Sequence, residues 1–367
     1  MVSEVLILGG GLAGATAALE LAREGIAVRL VERDSGPSHK ICGEFLSIEA
    51  QRDLARLGVD LAGLGAVPID RVRLAHGKLL VEGRLGFTAQ GVSRLVLDEA
   101  LLEAAVSHGA RIERGVKVQR IDAGEIATSA GTLRAGRILL ATGKHDVRGA
   151  KRGAGMAGHD FVGFKTHWRL SARQQAEVGN AVELVLFDGG YAGMQRVAGD
   201  VLNFCLVLRR GRLADLGGTW DAVLGELLRE EHVARRIGDA APLFDRPMTI
   251  ASLPYGYVCD GRAGPADGLF RLGDQAAVTA PLTGDGMAIA VRSARLAVAS
   301  LKGGASASCY QAKVAQAVAP QVRWAMLLQK AAGMPAALPY AMAVMGVWPG
   351  LLGRLAGMTR LPGGTLQ

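Results

Sequence analysis

Residues 5–33 read VLILGGGLAGATAALELAREGIAVRLVER, and this run decides the fold. Val5 to Leu8 form an apolar strand, and Gly9, Gly11 and Gly14 follow in the G-x-G-x-x-G spacing. Ala13, Ala17, Ala18, Leu21 and Ala22 then recur at helical intervals. Each glycine meets a steric demand. Gly9 makes the tight turn, Gly11 lets backbone approach a pyrophosphate, and Gly14 lets the helix lie close on the strand. The N–H groups that open the helix, from Leu12 and Ala13 onward, have no acceptor within it and face an anion. Gly25 closes the helix, Ala27 to Val31 make the next strand, and Glu32 stands where a carboxylate accepts the two hydroxyls of an adenosine ribose. An acid at that place disfavours a 2′-phosphate. Glycine supplies 51 of 367 residues, so the spacing alone would be weak. Strand, turn, helix, strand and acid in unbroken order make the run a dinucleotide-binding βαβ unit.

A chain of 367 residues is long enough for two domains or one large composite. Half of it is hydrophobic but only 5% is aromatic, which suits an α/β protein better than an all-β sandwich. The net charge of +8 is carried by scattered arginines, without the interleaving of basic and aromatic residues that nucleic acid requires. Cys42, Cys205, Cys259 and Cys309 have neither zinc-ligand nor disulfide spacing, so no metal is expected and a reducing, cytoplasmic location is. Nucleotide-domain sequence beginning at residue 5 argues against a leader segment.

Beyond the first unit, a helix is predicted from Ile48 to Leu57 and short strands over 70–90, with turns at His76-Gly77 and Glu82-Gly83. An amphipathic helix carrying Leu97, Leu101, Leu102 and Ala105 follows, then a strand from Arg111 to Ile121, a hairpin through Gly124 and Gly131, and the strand of RILLATG. GFKTHWRLS, AVELVLFDGG, YAGMQRVAG and VLNFCLVLR alternate as four antiparallel strands, with one face free to wall a substrate cavity. A helical stretch, Trp220 to Ile237, and a strand near Thr249 to Leu253 come next. From Ala331 to Gly353 no residue is charged, a length that spans a bilayer, but Pro335, Pro339 and Pro349 interrupt it. Helices that cover an apolar pocket or rest on a membrane surface fit this segment better than a transmembrane helix.

A second motif lies far downstream. In GDQAAVTAPLTGDGMAIAVRSARLA, residues 273–297, Asp274 ends a strand and Gly284 and Gly286 open a helix. Asp274 can accept from the sugar-alcohol hydroxyls of a flavin linker, while the amides of Gly284, Asp285, Gly286 and Met287 reach its ring and phosphates.

With KICGEFLS (40–47), VSRLVLDEALLEAA (92–105), LLATG (139–143) and Glu32-Arg33 added, the sequence resembles flavoproteins of the geranylgeranyl reductase type. These fall within the group that holds p-hydroxybenzoate hydroxylase-like aromatic hydroxylases and flavin-dependent halogenases. The resemblance implies an α/β fold: a discontinuous Rossmann-like FAD-binding domain (1–75, 92–155 and 260–305), an antiparallel β-sheet substrate domain (76–91 and 156–259) and an apolar helical C-terminus (306–367). It implies FAD with its adenosine on Gly9 to Gly14 and Glu32, its ribityl chain near Asp274, and its ring beside Pro281 to Met287. Arg94 would sit at the pyrophosphate or ribityl chain, and Lys40 at a phosphate. Val118 and the turn Ala141-Thr142-Gly143 would supply backbone contacts to adenine. Cys42-Gly43 would lie beside the flavin ring and line the reaction pocket.

One departure bears on the electron donor. Relatives that use NAD(P)H carry Ala-Asp-Gly followed by Ser and Arg, whereas this chain reads ATGKHDVRG with Thr142 in place of the aspartate. A separate flavin reductase or electron carrier is therefore an expected partner, with Asp146 and Arg148 the nearest replacements. Asp285 is the leading near-flavin polar group, with His76, His145, His167, Tyr191 and Lys165 as further acid–base candidates. The resemblance implies an FAD-dependent oxidoreductase for an apolar isoprenoid or polyketide-like substrate, reducing C=C by hydride from flavin N5. A hydroxylating monooxygenase and a non-catalytic flavin-binding protein at a membrane surface are the alternatives. No Trp-x-Trp-x-Ile-Pro element of the halogenase kind is present.

Overall fold

The computed structural model describes residues 4–122, 124–153, 160–261, 268–334, 338–348 and 350–361. Val5–Leu8 is buried on both faces because it is the middle strand of a five-stranded parallel sheet. The order is Leu269–Arg271, Ile138–Leu140, Val5–Leu8, Val28–Glu32, Arg111–Arg114. Its alternating side chains separate two cores. Val5 and Ile7 pack on the helices Leu12–Arg23, Arg94–Ser107 and Gly286–Lys302, and Leu6 and Leu8 pack on Ile121 and Ile126 of a small sheet, Val118–Asp122, Glu125–Thr128 and Gly131–Arg134. The expected strand from Arg111 to Ile121 is thus two strands in two sheets, divided at Gly115 by its positive φ of 74°.

The second sheet has nine strands. Along its main path lie Ala241–Pro242, Phe161–Arg169, Val201–Arg209, Gly190–Ala198, Ala181–Phe187, Val67–His76, Leu79–Gly91 and Phe45–Leu46, with Met248–Ala251 beside Phe161–Arg169. All neighbours are antiparallel except Ala181–Phe187 and Val67–His76. The expected short strands over 70–90 are one long hairpin turning at Gly77, and Glu82-Gly83 pairs within it. Val67–His76 pairs with Ala181–Phe187, so this sheet also takes in Phe45–Leu46 and residues 67–76, which precede the 76–91 segment expected to enter it. Period-two alternation marks a strand but carries no information about its partner.

Alternation also divides this sheet's faces. Val162, Phe164, Trp168, Leu202, Phe204, Ala192 and Met194 pack on the helices Ala172–Val178, Trp220–Leu227 and Glu231–Ile237. The predicted single helical stretch over 220–237 is therefore two helices. The opposite face meets the C-terminal helices Leu338–Val347 and Gly350–Met358 through Leu338, Met342 and Leu352. No single helix among the described residues is long and apolar enough to cross a membrane, and these two are bent by 112° at their junction. Pro335 and Pro349 lie outside the described residues.

Candidate active site

Helix Leu12–Arg23 begins at Gly11 with no side-chain cap, so its first N–H groups point outward unpaired. Gly9 has φ +108°, and a Cβ there would stand 2.5 Å from the Ala141 carbonyl oxygen. A Cβ on Gly14 would stand 1.9 Å from the Gly9 oxygen. Only glycine lets strand, turn and helix approach this closely, and the result is a concave row of amide donors. Glu32 closes one side, accepting from the amides of Gly10 (2.5 Å) and Asp34 (3.1 Å). Lys40, expected at a phosphate, turns to the acids instead: its Nζ lies 2.6 Å from Asp34 and 3.8 Å from Glu32. Arg33 is half-exposed beside Asp34. Val118 begins the small sheet next to this end, and Val116 donates to the Glu32 carbonyl.

Arg94 opens its helix and grips Asp98 in a two-point ion pair of 2.6 and 2.7 Å. Its guanidinium lies 3.3 Å from where a Gly11 Cβ would be, and it also engages Cys42. Arg94 thereby lies between the glycine turn and the Cys42 segment. At the turn after Leu140, Thr142 donates to the His145 carbonyl at 2.9 Å, and Gly143 has φ +60°. Lys144 pairs with Asp274 at 3.3 Å, and Arg152 donates to the Asp274 carbonyl and binds Asp146. Asp146 thus engages Arg152, while Arg148 contributes a backbone bridge to Arg120.

Pro281–Thr283 forms a short 3-10 turn ending at Gly284, whose φ of +72° points the chain into helix Gly286–Lys302. Pro281, Gly284, Gly286 and Met287 line the central cavity, but Asp285 does not. Its buried carboxylate turns to Arg360, 2.8 Å away, and burial raises it to about 6 despite that guanidinium. Arg360 lies over the rings of Phe45 and Phe87 and donates to the Thr283 carbonyl at 2.6 Å. The C-terminal segment therefore clasps the loop on which Asp285 stands, a contact across 75 residues of sequence that no local pattern announces.

Three neighbouring strands set out the opposite wall in register. Gly163, Val207 and Tyr191 form one row; Lys165, Cys205 and Gly193 the next; His167, Asn203 and Gln195 the third. The Cys42–Glu44 turn rests on the Lys165–His167 side of this grid. Asn203 donates to the carbonyls of Gly43 (2.8 Å) and Cys42 (3.4 Å), and the Cys205 thiol donates to Cys42 at 3.1 Å. Glu44 adopts φ +58° and is wholly buried. One carboxylate oxygen meets Lys165 Nζ at 2.6 Å and accepts from the Arg94 amide at 2.8 Å, and the other meets His167 Nε2 at 2.8 Å. Burial would push this carboxyl up, but Lys165 and His167 outweigh it and hold it at about 2. His39 lies against His167, and desolvation together with the charges of His167 and Lys165 lowers it to about 4. Lys165 and His167, candidate acid–base groups in the sequence, are committed to this ion cluster, and His76 bonds the Leu186 carbonyl. Glu44 carries no sequence signal, because its side-chain partners on the sheet lie more than a hundred residues away.

Between sheet, turn and C-terminal helices lies a cavity of about 350 Å³. Val72, Leu74, Leu184 and Leu186 form its floor, Ala341, Met345, Leu352 and Leu355 its roof, and Cys42, Gly43 and the Pro281–Met287 loop its end. Cys42 accepts from the Glu44 amide at 3.3 Å and lines this end. The uncapped helix start, the ribose-side carboxylate, the bridging Arg94 and the glycine loop at the cavity mouth fit an extended FAD running from Gly9 to Met287.

Residues 2–138 match the FAD binding domain family. The chain is 26% identical over 341 residues to a tryptophan 2-halogenase of Chondromyces crocatus, with 82% of this chain and 61% of that protein aligned. It is also 26% identical over 328 residues to a menaquinone reductase of Mycolicibacterium smegmatis, covering 82% of this chain and 77% of the relative. The chain thus spans less than two thirds of the halogenase's length. Among solved structures, the flavin-dependent brominase Bmp2 superposes with a TM-score of 0.77 at 18% identity, covering 97% of this chain and 93% of that one, and shows the same fold. Taken with the geometry, these give the chain an FAD-binding domain and the fold of flavin-dependent enzymes.

Proposed function

We propose that this protein is an FAD-dependent oxidoreductase that reduces a C=C bond in an apolar isoprenoid or polyketide-like substrate. The observation that carries this reading is the cavity. Its walls are mostly apolar, and it ends at the turn and loop where the flavin ring would lie. FAD, when bound, supplies electron-transfer chemistry to an adjacent carbon or, with dioxygen, oxygen-transfer chemistry. The chain's own residues bind and exclude water. The glycine turn and Glu32 would hold adenosine, Arg94 the linker, Asp274 the ribityl chain, and the Gly284–Met287 amides the ring. Cys42 and Gly43 form the wall that substrate meets beside it, and the menaquinone reductase relative supports an apolar substrate.

Supplying a reduced, FAD-loaded enzyme with candidate prenyl and polyketide substrates tests this. A product heavier by two hydrogens, formed without oxygen, is expected. Incorporation of ¹⁸O from ¹⁸O₂ would instead make the enzyme a monooxygenase, and no substrate-dependent flavin oxidation would make it a non-catalytic flavin carrier.

Thr142 in place of an aspartate supports a separate flavin reductase or electron carrier as donor. Rapid bleaching of the oxidised flavin by NADH or NADPH alone would overturn that. A membrane contact through 331–353 is also proposed. Tyr340, Val347 and Trp348 are 77%, 75% and 68% exposed on the outer side of the helices that roof the cavity. Aromatic residues of this kind, on a chain of net charge +8, suit an anionic bilayer surface. Sedimentation with phosphatidylglycerol vesicles should carry the protein down, and Trp348→Glu should release it.

A further inference from the structure

The mostly apolar cavity contains polar atoms with nothing to bond. Tyr191 Oη, Gln195 Nε2, Thr279 Oγ1 and Arg360 Nη1 are buried and have no hydrogen-bond partner, and all four residues line the cavity. Native proteins pair nearly all such groups, since an unmet buried donor is costly. Four gathered in one cavity call for a common cause. Two of them, the Gln195 and Arg360 nitrogens, can only donate. Burial pushes the Tyr191 hydroxyl well above its usual range, so it too stays protonated and donates.

Tyr191 and Gln195 share one face of strand Gly190–Ala198, four residues or about 13 Å apart, with Gly193 midway. A Cβ at Gly193 would meet nothing closer than Leu184 at 3.8 Å, so bare backbone leaves a flat, open floor between the two donors. The charges at the cavity are already balanced, Lys144 by Asp274 and Arg360 by Asp285. Among the described residues, both cations that line the cavity already face a carboxylate, which disfavours an anionic ligand.

We infer that Tyr191 and Gln195 are specificity determinants: they anchor the carbonyl oxygens of a neutral, apolar substrate that lies over Gly193. This rests on the reading of the cavity as the substrate site. The substrate class is thereby narrowed from hydrocarbon chains to neutral carbonyl compounds with a flat apolar body, of which a quinone is the simplest form.

The experiment titrates the oxidised, FAD-loaded protein with 1,4-naphthoquinone and, in parallel, with naphthalene, and reads the change in flavin absorbance. Tyr191→Phe and Gln195→Leu should each weaken naphthoquinone binding about tenfold while leaving naphthalene unchanged, the scale of one lost buried hydrogen bond. Neither variant should lower the thermal midpoint of the free protein, because each removes an unpaired donor. Gly193→Leu should abolish binding of both compounds. Equal naphthoquinone affinity in wild type and variants, equal loss of both compounds, or a fall in thermal midpoint would each overturn the inference while leaving the cavity as the substrate site. If neither compound perturbs the flavin and Gly193→Leu retains full turnover, the cavity reading fails and this inference with it.

Discussion

Two polar groups of residues flank the Cys42–Glu44 turn, and they are built on opposite terms. In the Glu44, Lys165 and His167 cluster, each carboxylate oxygen has a cationic or imidazole partner and the lysine also donates to the Lys40 carbonyl at 2.9 Å. In the cavity, Tyr191, Gln195, Thr279 and Arg360 keep buried donors unmatched. The two sets share one face of the sheet, where His167 and Gln195 occupy the same row. A satisfied network fixes backbone, here a non-glycine residue at φ +58°. An unsatisfied one stores an interaction for something that arrives later. Equal burial therefore does not mean equal purpose, and pairing is the better guide.

The largest expected effect breaks the satisfied set. Glu44→Ala leaves Lys165 buried without a counter-charge and should cost about 3–5 kcal/mol of stability, read by denaturant unfolding. Replacing Glu44 and Lys165 together by leucines should recover most of that loss. If the single and double variants are equally destabilised, the cluster is not a coupled pair.

Acid should titrate the same cluster. The Glu44 carboxyl is held at about 2 in the folded protein against 4.5 unfolded. The unfolded chain thus binds the proton first, and the stability Glu44 contributes above about pH 4.5 is lost as pH falls through 2. The size is about 3 kcal/mol, and Glu44→Gln should flatten that part of the stability profile.

A smaller effect concerns the tether between sheet and turn. Asn203→Ala removes two hydrogen bonds to the Cys42-Gly43 backbone and should cost about 1–2 kcal/mol. It should also speed FAD release, seen as recovery of free-flavin fluorescence.

The smallest effect falls on the unsatisfied set and has the opposite sign. Thr279→Val removes an unpaired hydroxyl at nearly constant shape and should leave stability unchanged or raise it by up to about 1 kcal/mol. A clear loss would show that Thr279 is paired in solution and would erase the contrast.

How much of this is legible in the sequence follows from distance along the chain. The glycine turn, Glu32, helix Arg94–Ser107 and the Pro281–Met287 loop each occupy one short window, where spacing and steric demand can be read together. Asp285 is legible as a position but not as a direction: the loop says where the residue stands, and only Arg360 says which way it faces. Glu44 is silent between Cys42 and Phe45 because nothing local separates a buried glutamate from an exposed one. Tyr191 and Gln195 lie in a strand that alternation reveals, yet their isolation is visible only once every neighbour is in place.

The parallel seam between Val67–His76 and Ala181–Phe187 has a consequence for how the chain is made. Until the later strand leaves the ribosome, the hairpin has Leu79–Gly91 on one side and an open edge carrying Ile69, Val72 and Leu74 on the other. Such an edge invites pairing with other chains. A nascent chain, or a fragment ending between residues 92 and 180, should aggregate unless a chaperone covers that edge. Folding is then slow and late, waiting on a contact that closes a long loop.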